Sequence, residues 1–181
     1  MTKKVIGGVV GLGLLVGLST FVYLLTNNII SFGYNDGYAP DQPVAFSHQL
    51  HAGDLQIDCQ FCHSTVYESR HASIPPLNVC MNCHQVVRQV GGENSEQIAK
   101  VIEAYENNQS IEWKKVHLLP DHVRFNHAAH VQAGKDCTVC HGPVEAMDIL
   151  YQYETMSMGW CIQCHRQPDH NAPINCSTCH Y

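Results

Sequence analysis

The chain has 181 residues, 45% of them hydrophobic and 14% charged, and a formal net charge of −6. That length allows one or two small domains, and the acidic balance argues against nucleic acid as a partner. The unusual counts are ten Cys and thirteen His.

The first predicted element is a run of twenty-one uncharged residues, Val5 to Leu25, with five Gly and with Ser19 and Thr20 as its small polar members. As a helix it is about 31 Å long, enough for the hydrocarbon core of a bilayer. A cleaved export signal would have a shorter apolar run and a small-residue cleavage site. Here Thr26-Asn27-Asn28-Ile29-Ile30 follows instead, so a retained transmembrane anchor is expected over residues 1–30. Lys3 and Lys4 precede the run and Asp36 and Asp41 follow it. The positive-inside rule then puts residue 1 in the cytoplasm and the remainder across the membrane. Gly7/Gly11 and Gly13/Gly17 are two small-x-x-x-small pairs that suit close packing against another helix. Residues 31–45, with Gly33, Gly37, Pro40 and Pro43, read as an extended linker.

Every cysteine beyond the linker belongs to a Cys-x-x-Cys pair followed at once by His. The five units are Cys59/Cys62/His63, Cys80/Cys83/His84, Cys137/Cys140/His141, Cys161/Cys164/His165 and Cys176/Cys179/His180. A disulfide scaffold accounts for an even number of cysteines but not for the following His. A structural zinc site uses two Cys pairs, or a Cys pair with a His pair, rather than five identical units. Two thiols at this spacing reach the two vinyl groups of one porphyrin as thioethers, and the adjacent His becomes the proximal iron ligand. The reading is therefore five covalently bound haem c groups. Haem propionates add further negative charge, and porphyrins supply apolar mass that a chain with so few predicted core elements lacks.

Two of the units sit in a repeat. Phe46-Ser47-His48 and His51 precede Cys59, and Phe125-Asn126-His127 and His130 precede Cys137, with offsets of 79 residues at the His and 78 at the Cys. Each copy continues to a second unit, at Cys80 and at Cys161, and the second copy gains a fifth at Cys176. The organisation is a two-haem module at 46–90, a connecting helix and loop at 91–122, and a three-haem module at 123–181. In the connection, Ser95 caps a predicted amphipathic helix with Ile98, Val101, Ile102 and Tyr105 on its apolar face. The His-x-x-His steps put His48 and His51, and likewise His127 and His130, one helical turn apart, able to serve two different haems as distal ligands. Met156 and Met158 stand just before Cys161, and Met158 is a candidate distal ligand of a kind that raises haem potential. His71, His122 and His170 have no repeat partner and read as ordinary histidines.

Phe-x-His-x-x-His followed by Cys-x-x-Cys-His resembles the class III cytochromes, the multihaem proteins of the c3 and c7 type. That resemblance implies that His48 caps the haem on His63 and His127 the haem on His141, while His51 and His130 reach other haems. More of the chain is similar to the pentahaem cytochrome subunit of bacterial alternative complex III. The similarity covers the anchor, the five units, the stretch Ile74-Pro75-Pro76-Leu77-Asn78-Val79-Cys80-Met81-Asn82-Cys83-His84 and the stretch Trp113-Lys114-Lys115-Val116-His117-Leu118-Leu119-Pro120-Asp121. It implies a quinol-oxidising complex with iron–sulfur, quinol-binding membrane and monohaem subunits, a redox acceptor protein, and a haem domain on the periplasmic side of the inner membrane. His117 lies in the shared stretch and is expected as a further distal ligand.

The expected fold is mainly α with long irregular loops: one transmembrane helix and a multihaem cytochrome c domain with little regular sheet. The expected function is an electron wire, with no side chain acting as acid, base or nucleophile. Two alternatives are a multihaem reductase with one open iron, and a quinol dehydrogenase that works alone.

Overall fold

The structure, a computed structural model, describes residues 3–26, 35–90 and 93–181. Residues 27–34, where the end of the anchor and the start of the linker are expected, and Gly91-Gly92, which open the connecting segment, lie outside the described residues. Two units result, residues 1–34 and Asn35–Tyr181.

The first unit is a single helix, α1 (Lys3–Thr26). Its segment Gly7–Thr26 is long and apolar enough to cross a membrane. Its hydroxyls are satisfied within the helix: Ser19 and Thr20 donate to the Val16 carbonyl at 2.9 and 2.8 Å, and Thr26 donates to that of Val22 at 3.0 Å. Hydroxyls that return a hydrogen bond to their own helix suit a hydrocarbon environment.

The second unit is built from short helices. They are α2 (Cys59–Cys62), α3 (Leu77–His84), α4 (Glu96–Glu106), α5 (His127–Gln132), α6 (Thr138–His141), α7 (Met158–His165) and α8 (Cys176–Cys179). The sheet among the described residues is one antiparallel pair, β1 (Gln89–Val90) with β2 (Glu93–Asn94), in the register Gln89 to Asn94 and Val90 to Glu93. Five of the helices carry the Cys-x-x-Cys-His units, and most start at a side-chain cap. Asp58 accepts from Gln60 N at 2.7 Å, Asp136 from Thr138 N at 2.8 Å, Ser157 from Trp160 N at 3.1 Å and Asn175 from Thr178 N at 3.1 Å. A one-turn helix cannot pay its own nucleation cost, so the cap and the surrounding contacts hold it.

The repeat in sequence is a repeat in space. Phe46 stacks on His51 at 4.4 Å and meets His48 edge-on at 4.9 Å; Phe125 stacks on His130 at 4.4 Å and meets His127 edge-on at 4.8 Å. The two copies then dock reciprocally. The helical turn Gln49–Asp54 of the first packs on the turn Val144–Ala146 just after the third unit, with Gln49 N donating to Met147 O at 3.0 Å. Helix α5 of the second packs on the loop just after the first unit: His127 N donates to Arg70 O at 3.2 Å, Ala128 N to Ser69 O at 3.2 Å and Gln132 Nε2 to Tyr67 O at 2.7 Å.

Helix α4 behaves as its sequence predicts, with Ser95 accepting from Ile98 N at 3.4 Å. Ile98, Val101 and Ile102 are buried, and Ile98 and Ile102 cluster with Met81 of α3; Tyr105 is 46% exposed. Gln152 ties the remaining loops together and is 0% exposed. Its backbone bonds reciprocally with Gly37 and Tyr38 at 2.7 and 3.0 Å, and its side chain accepts from Leu118 N and donates to Glu154 O, both at 3.0 Å. All its polar atoms being paired, burial costs it little.

Docking of the two copies has a tight point at Gly53, where an added Cβ would run into the backbone carbonyl of Glu145. A backbone atom cannot rotate away, so Gly53→Ala should destabilise the folded protein by about 1–3 kcal/mol through overpacking, read as a lowered denaturant midpoint of the haem-loaded chain. An unchanged midpoint would contradict the close approach.

Candidate haem centres

The five predicted proximal histidines share a polar environment that is suited to metal binding. Nδ1 of His63 bonds the Ser73 carbonyl at 2.6 Å, His84 that of Val87 at 2.9 Å, His165 that of Pro173 at 2.7 Å and His180 that of His122 at 3.0 Å. A carbonyl only accepts, so the proton sits on Nδ1 and Nε2 keeps its lone pair for an iron. His141 differs: its Nδ1 lies 3.1 Å from Nε2 of His117. Among the paired histidines, His51, His127 and His130 are fixed in the same way. Their Nδ1 atoms bond the carbonyls of Ser47 at 2.8 Å, Arg70 at 2.9 Å and Asn126 at 2.8 Å. His48 has a buried Nδ1 without a protein partner.

Ring spacings bring these residues together in pairs. Two imidazoles on opposite sides of one iron, each about 2 Å from it through nitrogen and about 1.2 Å more to the ring centre, hold their ring centres about 6 Å apart. His51 and His84 stand at 6.1 Å, His127 and His141 at 6.3 Å, and His130 and His165 at 6.0 Å. After burial, His63 is the largest influence on His48. His122, read from sequence as an ordinary histidine, lies 5.5 Å from His180 with its ring inclined by 24°. No sequence signal other than the shortage of a fifth paired histidine pointed to it. His170 bonds the Cys164 carbonyl at 2.9 Å. Met158, the expected partner for the fourth unit, begins α7 with 71% of its surface exposed.

Burial keeps the inner rings neutral. It lowers His48 to about 4, with His63, His51 and His117 adding to the effect; it lowers His117 to about 4, with His127 adding; and it lowers His141 to about 3, with His117 and His127 foremost among its neighbours. His127 is lowered as well, by burial first. A neutral imidazole is the form that ligates a metal.

The thiols run from unit to unit in a set order. Burial raises Cys62, and Cys80 is the first of its neighbouring thiols to add to this, with Cys83 among the others. Burial raises Cys137, which also interacts with and hydrogen-bonds Cys59. Burial carries Cys140 up to about 11, with Cys164 and Cys161 adding, and raises Cys161, with Cys179 adding. The second unit therefore adjoins the first, the first the third, the third the fourth and the fourth the fifth. After the third unit the chain turns sharply at Gly142, with φ 71° and ψ −166°, a conformation open only to glycine, and a Cβ there would collide with the Tyr153 ring.

Comparison with known proteins agrees with this geometry. Residues 33–113 match the class III cytochrome c family, and residues 123–181 match cytochrome c7 and related cytochromes c. This chain carries a class III multihaem cytochrome domain. A relative of the cytochrome is the multiheme cytochrome c subunit of menaquinone reductase from Nitratidesulfovibrio vulgaris, 29% identical over 164 residues that cover 77% of each chain. Covalent haem c and electron transfer follow from the class. The residues fit the group on three counts: paired free thiols on five short helices, four proximal rings whose Nδ1 bonds a backbone carbonyl and leaves Nε2 its lone pair, and a second ring near iron-spanning distance in four units. A buried Arg70 Nε without a protein partner beside the first and third units suits an anionic propionate.

His48→Ala and His127→Ala should each turn one low-spin haem of the cytochrome high-spin while covalent attachment persists. Absorption and electron paramagnetic resonance of the oxidised protein measure this, and an unchanged low-spin spectrum in both variants would contradict the pairing of these residues with His63 and His141.

Proposed function

We propose that this chain is a membrane-anchored pentahaem relay in a quinol:acceptor oxidoreductase complex of the alternative complex III type. The observation that carries the reading is the set of imidazole pairs at iron-spanning distance, His51 with His84 at 6.1 Å, His127 with His141 at 6.3 Å and His130 with His165 at 6.0 Å, on units whose thiols neighbour one another. A line of adjoining centres suits transport between two ends better than turnover at one. When bound, each haem c supplies a one-electron Fe(III)/Fe(II) couple. In each unit the two cysteines would hold it as thioethers, and the following histidine together with a second imidazole would ligate its iron. The proximal ligands are His63, His84, His141, His165 and His180; the ring spacings support His51, His127 and His130 as distal ligands of the second, third and fourth units, and the repeat supports His48 as that of the first. His130 replaces Met158 in this assignment, because His130 lies 6.0 Å from His165 whereas Met158 is 71% exposed.

Anchoring by α1 rests on its length and composition, and each of the two Gly pairs in it suits close approach of another membrane helix. Lys3 and Lys4 before the span support a haem domain on the periplasmic side, by the positive-inside rule. The module boundaries are 46–90 and 123–181, joined by 91–122. Iron–sulfur, quinol-binding and monohaem subunits are the partners of the alternative complex III reading. The similarity to a menaquinone reductase subunit favours a second direction of flow, with electrons delivered to quinone rather than taken from quinol.

Mild detergent extraction should recover the chain with other membrane subunits, and quinol should reduce its haems only in their presence. Reduction of the isolated chain by quinol at the rate of intact membranes would contradict the relay. Haems that are reduced only by a protein donor, and that then reduce added quinone, would support the second direction.

A further inference from the structure

Four of the five units have a second imidazole assigned by the repeat, which leaves the fifth, Cys176–His180, without a partner from either His-x-x-His step. We propose that His122 is the distal iron ligand of the haem on His180, and that His117 is a positioning residue for the proximal His141. The proposal rests on the reading of Cys176–His180 as a haem site.

The segment that carries His122 is clamped to the fifth unit by three hydrogen bonds across a sequence separation of almost sixty residues. His180 Nδ1 donates to the His122 carbonyl at 3.0 Å, Arg124 N donates to the Cys179 carbonyl at 2.8 Å, and Arg124 Nε donates to the Tyr181 carbonyl at 3.1 Å. These bonds fix the backbone on both sides of the fifth unit's His and leave the His122 ring 5.5 Å from the His180 ring. That separation is within about 1 Å of the spacing that a shared iron imposes. His122 thus does for the fifth unit what His51, His127 and His130 do for theirs, but it reaches its place through the loop before Phe125 rather than through the repeated motif.

His117 is the rival for the same role, and its surroundings assign it elsewhere. Its ring centre is 4.3 Å from that of His141, too close for an iron between them, and the planes are at 89°. Its Nε2 faces Nδ1 of His141 at 3.1 Å, the atom that donates to a backbone carbonyl in each of the other four proximal histidines. His117 therefore stands in for that carbonyl. An imidazole acceptor in this position orients the His141 ring and tunes its basicity, and with it the potential of one centre. The loop is held for the task by Leu118 N, which donates to the buried Gln152 side chain at 3.0 Å.

The test uses the full-length, haem-loaded chain with His122→Ala, His122→Met and His117→Ala. Intact mass first establishes five haems, and a haem-bearing peptide containing Cys176–His180 shows that the fifth unit is occupied. A wild-type chain with fewer than five haems, or with that peptide bare, removes the underlying haem reading itself. With five haems present, His122→Ala should make one haem of the five high-spin and bind one carbon monoxide per reduced chain, whereas the wild type binds none. His122→Met should restore a low-spin spectrum with one potential raised, and it is the deciding arm where the Ala variant fails to load haem. His117→Ala should leave all five haems low-spin and move a single potential. Unchanged spectra and potentials in both His122 variants, or a high-spin haem in His117→Ala, would overturn the proposal.

Discussion

The reciprocal docking of the two repeated copies is the constraint on which the haem domain depends. Each copy presents a Phe-x-His-x-x-His turn to the loop that follows the first Cys-x-x-Cys-His of the other, Gln49 to Met147 in one direction and His127 to Arg70 in the other. Contacts that are mirrored in this way have the form of an isologous interface folded into one chain. They bring the first and third units side by side, so that Cys59 reaches Cys137 and the imidazoles of His48, His63, His127 and His141 share one buried neighbourhood. Cys62 of the first unit neighbours Cys80 of the second, and Cys140 of the third neighbours Cys161 and Cys164 of the fourth. The two repeats thus meet through the loops beside their first Cys-x-x-Cys-His units.

Little conventional core supports this arrangement. The buried apolar side chains among the described residues are scattered, Val44, Val66, Val116, Ala128 and Met147 among them, and only Met81, Ile98 and Ile102 form a cluster. Order comes instead from capped single-turn helices, from Gln152 bonding four backbone sites, and from glycines where chain meets chain. Porphyrins held by paired thioethers complete such a scaffold with rigid apolar surface, and this is why a domain with so little sheet and such short helices suits covalent cofactors.

Much of this was legible in the sequence. The five Cys-x-x-Cys-His units, the Ser95 cap, the apolar face of α4 and the His-x-x-His repeat are local patterns, and local patterns survive without tertiary knowledge. What was hidden is pairing over distance. His122 has no repeat partner and lies 58 positions before His180, so only the fold joins them. Met158 precedes Cys161 by three positions and begins an exposed helix, while the His130 ring comes to within 6.0 Å of His165 from another element, a meeting that only the fold shows. His117, expected as a ligand, lies with its Nε2 3.1 Å from Nδ1 of His141, a contact over 24 positions that no local pattern signals. The order of the units was equally out of reach, since it runs second, first, third, and departs from the order along the chain.

The most direct measurement is the nearest-neighbour order of the irons in a structure of the haem-loaded protein within its membrane complex. The account predicts an unbroken line in which the iron of Cys59–His63 lies between those of Cys80–His84 and Cys137–His141, with Cys80–His84 and Cys176–His180 at the two ends. An iron standing apart from the others, or a line in which the second unit rather than the first adjoins the third, would contradict it.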